Sequence, residues 1–164
     1  MFKISLNAIE EPYENIKVEF SSKPRTVMRD AYSDMYYLCL DGLFLKDETL
    51  YMKGMLNFVF LLVNWKRKIL KTPTSQYAFL PFDFSDGYIG GIYLRRKTEE
   101  ILEVTYGVSR EFKGPSYSPA EIDLITPRNE DLILLFDYLE MREAELMAII
   151  DEGLFDILNG LKDQ

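Results

Sequence analysis

The chain has 164 residues, 48% of them hydrophobic, which is enough to bury a sizeable core in one domain and too apolar for intrinsic disorder. Its formal net charge of -8 argues against a general nucleic-acid binder, which needs a basic surface to release counterions from phosphates. Histidine is absent, which removes Ser-His-Asp and Cys-His nucleophile systems, histidine acid–base pairs and HExxH metal sites.

The N-terminus lacks a continuous apolar stretch and carries acids early, so it does not read as a signal peptide. Phe2, Ile4 and Leu6 alternate, as do Ile16, Val18 and Phe20. Both stretches predict strands with one buried face, joined around Pro12. Arg25 to Asp34 has no assignable pattern. The apolar runs Met35–Leu40 and Leu43–Leu45 flank Asp41-Gly42, a type I′ hairpin signal. Cys39 lies in the first of these runs and is the lone cysteine. It predicts a small buried side chain, no intrachain disulfide and a reducing compartment.

Asp47 is placed to cap a long helix over about 48–70, whose apolar stripe is Tyr51, Met55, Phe58, Leu62, Trp65 and Ile69. Met52, Leu56, Val59, Val63 and Leu70 form an adjoining stripe, so this central helix should lie on a sheet with much of its surface covered. Lys66, Arg67, Lys68 and Lys71 complement the negative end of its dipole. The most apolar run, Met55–Val63, falls well short of the roughly twenty residues a membrane span needs. A soluble, cytoplasmic protein is expected.

Three strands should follow, at Tyr77–Phe82, Tyr88–Leu94 and Ile101–Val108, with Lys97–Glu100 as a tight connection. After a loop around Phe112–Tyr117, Ser118-Pro119-Ala120-Glu121 carries a capping-box signature. A longer helix is expected from Thr126-Pro127, with Leu132, Leu135, Phe136, Leu139, Leu146 and Ile150 as its stripe. Glu143 falls on that stripe and must find a partner, mark the stripe's edge or sit where the helix bends. Past Gly153, Leu154, Ile157, Leu158 and Leu161 predict a final short helix. Residues 119–164 hold twelve acids against Arg128, Arg142 and Lys162, so the acidity belongs to this helical third. The chain thus reads as a single α+β domain over 1–164, a mainly antiparallel sheet with a long central helix and C-terminal helices packed on it.

The stretch PFDFSDGYIGG concentrates the candidate chemistry. Gly87, Gly90 and Gly91 do not make a dinucleotide fingerprint, because a strand rather than a helix follows them. Gly87 suits a turn; Gly90-Gly91 within a strand predicts a bulge or a close approach, with Trp65 as one candidate neighbour. Asp83 and Asp86 could in principle serve acid–base work or a hard cation, but no further oxygen ligand recurs at calcium-loop spacing. A turn between strands would leave both facing solvent. No catalytic, cofactor-binding or metal-ligating residue is therefore expected.

The helix segment FVFLLVNW, the YAFLPFDFSDGY turn, the strand EVTYGVSR and the acidic C-terminal part together resemble, over residues 14–150, small bacterial immunity proteins of polymorphic-toxin and contact-dependent inhibition systems. The resemblance implies a non-enzymatic cytoplasmic protein that binds and blocks a cognate toxin domain, often a nuclease with a basic active site. Charge and exposure arguments select Asp83, Asp86, Glu130, Asp137 and Glu145 as partner-binding carboxylates. The rival readings are an acidic regulatory or adaptor module that binds a host protein, including as a nucleic-acid mimic, and an enzyme that gathers Asp83, Asp86 or Glu143 around a metal.

Overall fold

The structure, a computed structural model, describes residues 2–6, 16–20, 29–33, 50–113, 123, 125–135 and 137–162. The expected Asp41-Gly42 hairpin, Cys39, the Asp47 cap and the Ser118 capping box lie outside these residues.

The alternating N-terminal stretches form strands β1 (Phe2–Leu6) and β2 (Ile16–Phe20), antiparallel and paired Phe2 to Phe20 through Leu6 to Ile16. The unassigned segment supplies β3 (Arg29–Ser33), which completes a three-stranded sheet in the order β1-β2-β3. Its sequence, RDAYS, has no apolar alternation to announce a strand.

The main sheet is antiparallel and has five strands: β4 (Tyr77–Phe84), β5 (Ile89–Arg96), β6 (Ile101–Ser109), β7 (Leu132–Leu134) and β8 (Leu139–Arg142). β5 is central and buried along almost its whole length, on both faces, and so reads as a nearly unbroken apolar run. The β5–β6 connection closes tightly: Lys97 N–H donates to the Ile101 carbonyl at 2.9 Å, and Thr98 Oγ1 accepts from Ile101 N–H at 3.0 Å.

β7 and β8 share the far side of β6. β7 pairs Leu134 with Gly107, and β8 pairs Leu139 with Val104. They pair with β6 as two halves of one outer strand, whose registers end at Leu134 opposite Gly107 and resume at Leu139 opposite Val104.

Among the described residues two helices complete the α+β fold, α1 (Leu50–Lys71) and α2 (Glu143–Lys162), packed against one another. This corrects the expected central helix with several C-terminal helices. Residues from Thr126 do not start a helix: a 3-10 turn at Asn129–Asp131 leads into β7. Gly153 does not end one either, since α2 runs through it. The physical reason is that Leu132–Leu135 and Leu139–Met141 satisfy both periodicities, and β6 offers an open row of backbone partners that a helix would leave unpaired.

Phe58, Leu61, Leu62, Trp65 and Ile69 of α1 share one buried cluster with Leu80, Phe82, Ile92, Leu94, Leu102 and Val104 of the sheet and Leu146, Ile150 and Ile157 of α2. Each contributes about 1.5–3 kcal/mol from burial. The adjoining stripe of α1 is less covered than expected, because Val63 and Leu70 are exposed along with Phe60.

Candidate protein-binding surface

Asp83 and Asp86 part company at a bulge. The β4–β5 register runs Pro81 to Gly91 and then Asp83 to Gly90, so Phe82 is an extra residue. That one residue turns Asp83 to the side of Gly90 and Tyr106, where its Oδ2 accepts from Tyr106 Oη at 2.6 Å. A Cβ on Gly90 would lie 2.3 Å from that hydroxyl, and one on Gly91 would lie 2.4 Å from the Leu80 carbonyl. The glycine pair is therefore set by close approach across the sheet. Trp65 Nε1 donates to the Pro81 carbonyl at 3.0 Å, so the indole fixes the bulge itself.

Asp83 is thus half-buried in a strand rather than facing solvent from a turn, which corrects that part of the expectation. Asp86 does sit exposed at the hairpin tip, where Gly87 N–H donates to Ser85 Oγ at 3.2 Å.

The other carboxylates also separate. Glu145 Oε2 accepts from Arg142 N–H at 3.0 Å, the helix-to-cap half of a capping box at the start of α2. Glu130 is 74% exposed and pairs with Arg128 Nη1 at 3.3 Å; Asp131 meets Arg128 Nε at 2.8 Å. Asp137 is exposed in the detour between β7 and β8. Asp86 and Glu130 occupy the same end of the sheet. Glu145 lies at the opposite end.

One face of the sheet carries groups that sequence reasoning did not gather. Tyr77 of β4 stacks on Tyr93 of β5 at 5.2 Å, and Tyr93 Oη donates to Asn129 Oδ1. Burial first, then the neighbouring Tyr138 and Tyr77, pushes the Tyr93 phenol above its ordinary pKa; burial does the same to Tyr138. Tyr77 and Tyr138 remain 43% and 41% exposed. Beside them Arg95 Nε donates to Glu103 Oε2 at 2.6 Å, and Lys97 bridges Glu103 and Glu140. Leu132 and Leu134 lie over Gly107, where an added Cβ would come within 3.2 Å of each. The signal available in the sequence was the alternation of Tyr77, Tyr93 and Arg95 along two strands, but Tyr138 and Glu140 were assigned to a helix.

Lys66, Arg67 and Lys68 at the basic end of α1 are already partnered. Lys66 pairs with Asp151 at 2.5 Å and Arg67 with Asp123 at 2.6 Å, while Lys68 donates to the Ile125 carbonyl at 3.3 Å. Asp83, Asp86 and Glu143 do not converge: Glu143 pairs with Arg96 at the far end of the sheet. Among the described residues no group of three or more Asp, Glu or Cys side chains is placed to hold a metal ion, and no helix is long and apolar enough to cross a membrane.

No family model matches the chain, and no curated protein or solved structure matches it.

Proposed function

We propose that this chain is an immunity-type inhibitor, a non-enzymatic protein of the cytoplasm that binds and neutralises a cognate basic toxin domain. The observation that carries the reading is the outer strand of the main sheet and the face beside it. Between Asn129 and Met141 this segment carries four acids, Glu130, Asp131, Asp137 and Glu140, and no base. Exposed Ile133, Leu134, Leu135 and Tyr138 sit among them. Exposed apolar and aromatic groups rimmed by carboxylates suit a cationic protein partner: tyrosine supplies stiff contact area, and carboxylates steer and orient basic side chains.

Asp86, Glu130 and Asp137 are the carboxylates best placed to meet the partner. Asp83 and Glu145 support the fold beneath and beside them. The test is growth rescue: the chain is co-expressed with the toxin domain encoded by the adjacent gene, and the complex is sought by co-purification. Rescue with a stable complex supports the reading, and absence of both overturns it.

A further inference from the structure

The backbone of the outer strand is as informative as its side chains. Leu135 N–H donates to the Tyr106 carbonyl at 3.0 Å, so Leu135 and, two residues earlier, Ile133 direct their peptide groups toward β6. Leu132 and Leu134 direct theirs away from the sheet. In β8, Glu143 N–H donates to the Glu100 carbonyl at 2.8 Å, which places Met141 and Leu139 inward and Glu140 and Arg142 outward. The Arg142 N–H is taken by Glu145. The outward groups of Leu132, Leu134 and Glu140 have no partner among the described residues.

We infer that this edge is a strand-addition site, and that its occupant is an extended, basic segment of the toxin domain that lengthens the main sheet by one strand. The inference rests on the toxin-binding reading and specifies how the partner engages. Backbone pairing to Leu132, Leu134 and Glu140 supplies affinity, and the alternating side chains of the guest supply selectivity. The outward-directed residues share the face of Gly107 and Glu103, so guest side chains on that face meet Leu132, Leu134, Tyr138 and Glu140. Lysine or arginine there shares the Glu140 carboxylate with exposed Lys97 and lies against the Tyr138 ring, a pairing of opposite charge with a cation–π contact. Guest side chains on the other face meet exposed Ile133 and should be apolar. The break in register between Leu134 and Leu139 and the capped Arg142 N–H limit the site to short segments.

The experiment titrates the intact chain with a short blocked peptide alternating lysine and valine, followed by amide NMR. A peptide alternating glutamate and valine is the control. The lysine peptide should shift the amides of Leu132, Leu134 and Glu140 and slow their hydrogen exchange, with weak, millimolar-range affinity; the glutamate peptide should do neither. Leu134→Pro deletes an outward donor without removing a sheet bond and should weaken the lysine peptide about tenfold, or about 1.4 kcal/mol. Glu140→Lys, which leaves the backbone intact, should weaken it as well.

Equal shifts with both peptides, shifts confined to other residues, or no shift would overturn strand addition. So would edge amides protected in the free chain by self-association, which a sedimentation series in protein concentration detects. Intact growth rescue alongside any of these outcomes retires strand addition alone, whereas lost rescue retires the toxin-binding reading.

Discussion

Arg96 joins the two helices through Glu143. Its Nη2 donates to Glu143 Oε2 at the start of α2 and, at 2.8 Å, to the Ile69 carbonyl near the end of α1. Its Nε donates to the Thr72 carbonyl at 2.6 Å and Nη1 to the Glu99 carbonyl at 2.8 Å. The carbonyls at a helix C-terminus otherwise lack partners, and a guanidinium fork meets several at once. Arg96→Ala removes the side-chain donor to the Thr72 and Glu99 carbonyls, leaves the Ile69 carbonyl only the Thr72 N–H at 3.2 Å, and leaves a partly buried carboxylate uncompensated, so it should cost about 3 kcal/mol. Glu143→Gln keeps an acceptor in place and should cost about 1 kcal/mol. Urea midpoints of the two variants decide the order, and equal losses would contradict this account.

Gly90, Asp83 and Tyr106 should behave as one unit. Gly90→Ala forces its methyl group against the Tyr106 hydroxyl and breaks the bond to Asp83, with an expected cost of about 2–3 kcal/mol. In a Tyr106→Phe background the hydroxyl is already gone, so the added cost should fall by about 1 kcal/mol. A double-mutant cycle in urea measures this coupling. Strict additivity would mean that the hydroxyl does not dictate the glycine.

Lys68 makes stability rise with alkaline pH. Burial lowers its pKa to about 8, partly offset by Asp123. The folded chain therefore releases this proton before the unfolded chain does. Between about pH 8 and the unfolded lysine value of about 10.4, the unfolded state binds more protons and stability increases with pH. The raised phenol of Tyr93 acts in the opposite sense above about pH 10, because the unfolded tyrosine ionises first. Denaturation at stepped pH should show a rise above pH 8 that is absent in Lys68→Met, and a decline above pH 10 that is reduced in Tyr93→Phe.

Trp65 is the lone tryptophan and is fully buried between Phe58 and Phe82. Its emission should be blue-shifted in the native state and move red on unfolding in a single step with circular dichroism. Trp65→Phe removes the donor to the Pro81 carbonyl as well as ring volume, and should cost about 2–4 kcal/mol. A loss below 1 kcal/mol would mean that the indole does not hold the bulge.

On the proposed surface, Asp137→Lys and Tyr138→Ala should weaken toxin neutralisation at least about tenfold, as measured by titration in the growth assay, and leave the melting temperature within a few degrees. Asp83→Asn should instead lower stability by about 1 kcal/mol with a smaller effect on neutralisation.

What the residues disclose before folding depends on whether the deciding partner is local. The strands from Tyr77 to Ser109 follow from alternation and from the turn at Lys97–Glu100, because those signals lie within a few residues. The segment from Leu132 to Arg142 does not, since its apolar residues suit a helix as well as a strand. The choice is made elsewhere, by the open side of β6 and by Gly107, whose bare backbone admits Leu132 and Leu134. Asp83 misleads for a related reason. Its orientation depends on one extra residue, Phe82, and the cause of that bulge is an indole sixteen positions upstream of Pro81. The candidate surface inherits both ambiguities, so its tyrosines and acids were visible individually and not as a group.

The split of the outer strand has an evolutionary consequence. β7 and β8 are each pinned to β6 in their own register, and the sequence between Leu134 and Leu139 is two residues longer than that between Val104 and Gly107. Insertions or deletions there leave both registers intact while reshaping the segment that carries Asp137 and Tyr138. A single glycine inserted after Asp137 should therefore leave the melting temperature nearly unchanged and, on the proposed toxin-binding reading, alter which toxin variants are neutralised. If the surface binds as proposed, a lineage under pressure to track a changing target revises its contacts between two fixed registers without rebuilding the sheet.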